Sequence, residues 1–251
     1  HTSASDGAHS PEGLINLVRK KKLKAFGIAD HNSIASLEPA FSLVKPTGAK
    51  FFPAVEIDTL YHDKDLHLLA YGVDFKNLQW QEWMKEIAKA KEQQTRRRVE
   101  KLKELGFKIE YEELMKISQG KMPTGGDYVK ALSLSPEGKN DPRVRNYIDG
   151  PRSDSPYLNF YLDWLKAGKP AFVSLEEMKC EKVIKKILEL KAVPVLAHPS
   201  DTPEQYVKEL ANFGLMGIEV YTSYHSRELA KFWIQLSRKL ELLITAGSDF
   251  H

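Results

Sequence analysis

GIADHNS, residues 27–33, closes an apolar run on an acid, a histidine and an amide. The run that opens it, 25–29, has the length and residue types of a buried strand, so Asp30, His31 and Asn32 leave its exit together. Five further runs read the same way: 51–55, 68–73, 193–197, 217–221 and 242–246, each followed by polar or turn-forming residues. Helical patterns separate several of them. SPEGLINLVRKKKL carries Ser10 as an N-cap, Pro11 at the first helical position and Leu14, Ile15, Leu17 and Val18 at helical spacing. EKVIKKILELK precedes the 193 run and ELAKFWIQLSRKL precedes the 242 run. Strand and helix alternate at both ends of the chain, which predicts parallel strands in an α/β barrel or open sheet.

The middle departs from this pattern. From about 75 to 168 the chain is charged and mostly helical in period, with Trp80, Trp83, Met84, Ile87, Val99, Leu102 and Leu105 forming an apolar stripe. This predicts an inserted helical lobe over 76–168 within a barrel formed by 1–75 and 169–251. The Pro-, Gly-, Asp- and Ser-rich stretch LSPEGKNDPRVRNYIDGPRSDSP reads as a long loop.

Composition sets the outer limits. With 251 residues, 42% hydrophobic and 28% charged, the chain can bury one sizeable core and a smaller lobe. A net charge of +3 gives no bulk argument for nucleic-acid binding, and the Arg19–Lys24 run reads as a solvated helix end. The lone cysteine, Cys180, excludes an internal disulfide and suits a reducing compartment. No apolar stretch approaches the roughly 20 residues of a membrane span, and no signal peptide opens the sequence, so a cytoplasmic protein without a membrane or obligate protein partner is expected.

The histidines and acids fall mostly at strand exits. His31 follows the first strand, Glu56 ends FFPAVEID, His67 lies in DLHLLAYG, His198 follows VPVLA, and Asp249 and His251 follow LLITAGS; HTSASDG at the start adds His1 and Asp6. Strand exits of an α/β barrel share one face. Taken singly, His67 between leucines reads as a core histidine and Asp6 in SDG as a turn acid. Together, eight ionisable groups at one rim are costly unless cations neutralise the carboxylates and take the imidazole lone pairs. His, Asp and Glu without thiolates suit Zn, Mn or Fe, and about three protein ligands per ion gives two or three divalent cations. Neighbouring cations lower the pKa of bound water and clamp an in-line displacement, which makes phosphate-ester hydrolysis the natural chemistry.

The motifs HTSASDG (1–7), ADHN (29–32), Glu56, His67 in HLLAYG, AHP (197–199) and GSDFH (247–251) resemble the signature motifs of the PHP (polymerase and histidinol phosphatase) superfamily, in order and over the whole chain. That resemblance implies a distorted (β/α)7 TIM-like barrel holding up to three divalent metals that hydrolyse phosphoester bonds. It implies metal ligation by His1, Asp6, His31, Glu56, His67, His198, Asp249 and His251, with Glu56 bridging and holding a hydroxide nucleophile, and Asp30 behind the ligands. The family's opening His-x-His implies a further histidine two residues upstream of His1. The inserted lobe resembles that of the nucleotide phosphatases, which act on nucleoside 3',5'-bisphosphates or trim short RNA from its 5' end. Their Gly-Arg-x-His is Thr124-Gly125-Gly126-Asp127 here, so the arginine and histidine positions hold Gly125 and Asp127. Asp127 reads as an N-cap, with Lys130 one turn on as a phosphate-binding candidate. His225 in YTSYHS reads equally as a substrate contact or a solvent-facing loop residue, and His9 and His62 are not expected to ligate. The expected substrate is a small phosphorylated molecule, a nucleotide or short RNA; the alternatives are a histidinol-phosphate-type phosphomonoesterase and a catalytically silent PHP binding module.

Overall fold

The computed structural model describes residues 1–45 and 48–251. By contact density the chain divides into two compact units, His1–Ile87 with Glu176–His251, and Ala88–Leu175. The first unit is built on a six-stranded mixed sheet: β1 (Ala25–His31), β2 (Lys50–Tyr61), β3 (Lys64–Tyr71), β4 (Val193–Leu196), β5 (Gly217–Tyr221) and β6 (Leu243–Ala246), neighbours in that order. All six apolar runs of the sequence are strands. β1 pairs parallel with β2, β4 with β5 and β5 with β6, but β3 runs antiparallel to both neighbours.

The sheet is thus mixed where strand–helix alternation predicts parallel strands. The cause is local: Tyr61 pairs with Lys64, so only His62 and Asp63 join β2 to β3, and a two-residue connection permits only an antiparallel hairpin. His62 takes φ 52° to make the turn, a left-handed conformation more usual for Gly or Asn. Among the described residues, six strands form the sheet, with β1 and β6 at its edges.

The first helix of this unit starts where the sequence places its cap. α1 (Pro11–Lys20) is capped by the Ser10 side chain, which accepts from Gly13 N, and it buries Ile15 and Val18. α2 (Leu37–Val44) follows β1. The 27-residue α3 (Leu78–Glu104) buries Trp80, Trp83, Met84, Ile87, Val99 and Leu102, as its stripe predicts, whereas Leu105 lies beyond the helix end and is exposed.

The second unit has no strand among its described residues. Besides the end of α3 it contains α4 (Tyr111–Ile117), α5 (Gly125–Leu132), α6 (Pro136–Asn140), α7 (Pro142–Ile148) and α8 (Pro156–Phe160), which runs into one π-helical turn, Tyr161–Leu165. The expected loop is therefore largely short helices, started by Ser135 and Asp141 caps ahead of Pro136 and Pro142. Its core gathers Leu102, Leu114, Tyr128, Leu132, Val144 and Phe160. The remaining helices, α9 (Cys180–Glu189), α10 (Glu204–Asn212) and α11 (Arg227–Lys239), belong to the first unit and precede β4, β5 and β6 respectively.

Candidate metal centre

Register brings the site together. His31, the last residue of β1, pairs with Glu56 of β2, and Asp58, two residues on, pairs with His67 of β3. Side chains two apart on a strand share a face, and so do cross-strand partners, so His31, Glu56, Asp58 and His67 occupy one face of the sheet. The antiparallel β3 reaches this rim with its first half rather than its exit. Ala197 N donates to His67 O at 3.0 Å, which sets His198 just beyond β4 at the same level.

Three residues at strand exits, Asn32, His198 and Asp249, have φ of 51°, 23° and 49°. Non-glycine residues in this region are strained, and such strain persists only where surrounding contacts hold it. Those contacts are present: Asn32 N donates to Glu56 O at 2.7 Å, His198 N to Glu219 Oε2 at 3.1 Å, and the Tyr224 hydroxyl to Asp249 Oδ2 at 2.6 Å.

All eight sequence candidates meet here. Glu56, 2% exposed, is central: Oε1 lies 2.8 Å from His67 Nδ1 and 3.1 Å from His198 Nε2, and Oε2 lies 3.1 Å from His1 Nε2. His1 Nε2 is also 3.0 Å from Asp249 Oδ1. Asp6 Oδ1 is 3.8 Å from His1 Nδ1 and 3.5 Å from His251 Nε2, and the His1 ring stacks on those of His251 and His31 at 4.0 and 4.6 Å. Asp30 touches none of these side chains. Fully buried, it accepts from Thr2 N at 2.5 Å, Thr2 Oγ1 at 2.8 Å and Ser5 Oγ at 2.7 Å, and from Ser36 Oγ, and so ties the loop carrying His1 and Asp6 to β1.

The donor set fits divalent cations. Potential ligand atoms within 4.8 Å of one another form four groups among the described residues: His1–Glu56–Asp249, Glu56–His67–His198, His1–Asp6–His31–His251 and, drawing on a residue outside the sequence candidates, His31–Asp58–His67. His1 Nδ1 is buried without a hydrogen-bond partner, the nearest carboxylate being Asp6 Oδ1 at 3.8 Å. The charges point the same way. Burial acts to lower the His1 pKa, yet the Asp249 and Glu56 carboxylates outweigh it and raise it to about 10, so the ring carries the positive charge these acids demand. Burial alone would raise Glu56 and Asp249; hydrogen bonds from His1, and from His198 and His67 for Glu56 or Tyr224 for Asp249, hold both well below the usual carboxylate range.

Three participants escaped the sequence reading. Asp58 contacts His31, Tyr224 contacts Asp249, and buried Glu219 holds the His198 backbone. Period-two spacing from Glu56 was the available signal for Asp58. Beside the cluster, a cavity of about 610 Å³ is lined by Glu56, Asp249, Leu14, Val18, Phe26 and Tyr71 among others.

The other candidates stand apart from these four groups. His62 Nε2 lies 3.5 Å from Glu209, and His9 stacks on Phe250 at 5.7 Å. His225 Nδ1 donates to Val220 O at 2.8 Å, and its Nε2 is buried with no partner. In the helical unit, Thr124 rather than Asp127 is the N-cap of α5: Asp127 is the third helical residue and completes a reciprocal capping box, because Thr124 already occupies the extended cap conformation. Lys130 Nζ is 3.9 Å from Asp127 Oδ1. A side chain at Gly125 would place its Cβ 1.9 Å from Tyr157 O, so the arginine of the related motif has no room at this position.

The chain is similar over its whole length to several known proteins. No protein-family model matches the chain. Its whole length aligns with the 5'-3' exoribonuclease Rnm of Escherichia coli at 24% identity, covering 83% of that protein, and with the 3',5'-nucleoside bisphosphate phosphatase of Chromobacterium violaceum at 22%, covering 85%. Among solved structures it matches an amidohydrolase from C. violaceum with bound sulfate and no metal (22% identity, TM-score 0.76) and a Bifidobacterium adolescentis protein assigned as a metal-dependent phosphoesterase (23%, 0.75). Each match spans the whole chain and 85% of the solved chain.

Proposed function

We propose that the protein is a phosphoesterase that uses two or three divalent cations, Mn, Zn or Fe, to hydrolyse a phosphate ester of a small nucleotide or short RNA. The observation that carries this reading is the convergence of five histidines with Glu56, Asp6 and Asp249 around one buried carboxylate. The names of the whole-chain relatives, an exoribonuclease and a bisphosphate phosphatase, support the substrate class.

In this reading Glu56, His67 and His198 would hold one cation, His1, Glu56 and Asp249 a second, and Asp6, His31 and His251 a third, with Glu56 common to two because its oxygens face different histidines. Bound cations supply Lewis acidity toward a phosphoryl oxygen and a water of lowered pKa. The chain supplies the rest. Glu56, Asp6 and Asp249 offset cation charge, and Asp30 keeps the loop bearing His1 and Asp6 in place. Lys130 is the helical unit's candidate for a phosphate contact.

The test is phosphate release by metal-reconstituted protein from three substrates: a nucleoside 3',5'-bisphosphate, a short RNA and histidinol phosphate. Turnover of either nucleotide substrate above histidinol phosphate is expected, and His198→Ala or Asp249→Ala should lower it at least about 100-fold with the fold retained. Full activity in both variants would remove the assignment; preferred turnover of histidinol phosphate would change the substrate class alone.

A further inference from the structure

Asp58 is not among the expected ligands, yet its carboxylate lies within 4.8 Å of ligand atoms of both His31 and His67. Its Oδ1 is 2.9 Å from His31 Nδ1 and 3.8 Å from His67 Nε2, and its Oδ2 accepts from Asn32 Nδ2 at 2.8 Å. Asn32 closes the arrangement, because its Oδ1 accepts from Asp58 N at 3.2 Å. The backbone makes this pairing possible: the left-handed φ of Asn32 turns the chain at the end of β1, and its amide reaches β2 from there. Asn32 is buried, and the Asp58 side chain is only about a quarter exposed.

An ionised carboxylate only accepts hydrogen bonds, so the short contact makes His31 Nδ1 the protonated nitrogen. The lone pair then resides on Nε2, the other side of the ring. A histidine ligand whose second nitrogen donates to a carboxylate has its tautomer and ring orientation fixed and its basicity raised. We propose that Asp58, braced by Asn32, is a positioning residue that presents His31 to the cation it would share with Asp6 and His251. This rests on the metal-dependent reading above and adds to it a carboxylate and an amide that do not themselves ligate. It also accounts for the third polar residue of the ADHN stretch: His31 is the ligand, Asp30 anchors the N-terminal loop, and Asn32 locks the carboxylate behind the ligand.

The experiment is calorimetric titration of Mn²⁺ into metal-stripped full-length chain, comparing wild type with Asp58→Asn, Asp58→Ala and Asn32→Ala. The expected result is an unchanged number of ions at saturation and one class of site weakened. The loss should be about 10–100-fold in Asp58→Ala and smaller in Asp58→Asn, whose amide oxygen still accepts from Nδ1, and in Asn32→Ala. Asp6→Asn should weaken the same class, and the double variant should lose less than the sum of the two. A second readout is the visible spectrum of the Co²⁺-loaded protein, whose bands should shift in the Asp58 variants with the melting temperature held. Unchanged affinity and spectrum in Asp58→Ala would overturn the proposal. So would loss of one ion that no Mn²⁺ concentration restores, which would make Asp58 a ligand. A wild-type chain that binds no divalent cation would instead remove the metal-dependent reading itself, whatever the variants do.

Discussion

Asp249 uses its two oxygens differently: Oδ1 faces His1 at 3.0 Å and Oδ2 takes the Tyr224 hydroxyl at 2.6 Å. The second bond holds a residue whose φ is 49°, so Tyr224 opposes local relaxation of the loop. Tyr224 is 55% exposed, which brings the bond below the ~1.5–3 kcal/mol of buried hydrogen bonds to charged groups, to about 1 kcal/mol. Tyr224→Phe should therefore cost roughly fivefold in kcat/KM for phosphate release, and an unchanged value would show that Asp249 needs no such brace. Glu219 sets a harder constraint. A Cβ at Gly247 would lie 1.9 Å from its Oε1, while its Oε2 accepts from the strained His198 N. Glu219 is buried and cannot swing into solvent, so Gly247→Ala should force it off His198. Overpacking of this kind costs about 1–3 kcal/mol, which calorimetry would read as a fall in Tm of roughly 2–12 °C.

At the scale of elements, strands and caps were legible because their signals are short-range. Six apolar runs gave six strands, and Ser10-Pro11 gave the start of α1. The direction of β3 was not legible: the usual hairpin signal is Asn-Gly or Asp-Gly, and here the turn is His62-Asp63, with His62 forced to positive φ. The start of α5 was read three residues late for a related reason. Thr124 and Asp127 are both cap formers, and the choice between them depends on which residue is extended, a property of the folded chain. The box predicts its own cost. Thr124→Ala removes the side chain that accepts from Asp127 N and should destabilise the protein by about 1 kcal/mol, whereas Asp127→Ala leaves the Thr124 cap and should cost less. Chemical denaturation of the two variants would check the order, and equal losses would mean that both halves of the box matter alike.

At the scale of the whole chain, sequence could name the eight ligand candidates but not their separations, because the residues that meet are far apart in number: His1 touches Asp249, and Glu56 touches His198. Asp58 was missed for the converse reason: its period-two spacing from Glu56 marks its face, but only register sets it behind His31. The same long separations give cations leverage over stability. An ion held by Glu56, His67 and His198 would join β2, β3 and the exit of β4, segments that the unfolded chain holds at random, and so would bind the native state in preference to the unfolded one. At a free concentration about 100 times Kd, one such ion stabilises by about 2.7 kcal/mol. For a chain of 251 residues that corresponds to a rise in Tm of roughly 5–11 °C over chelator-treated protein. The rise should be lost at the same Mn²⁺ concentration in His198→Ala, which removes a nitrogen donor from the Glu56–His67–His198 group. Scanning calorimetry with and without chelator measures both, and a Tm indifferent to the ion in the wild type would show that the rim is organised by its own hydrogen bonds and not by the charge it is built to hold.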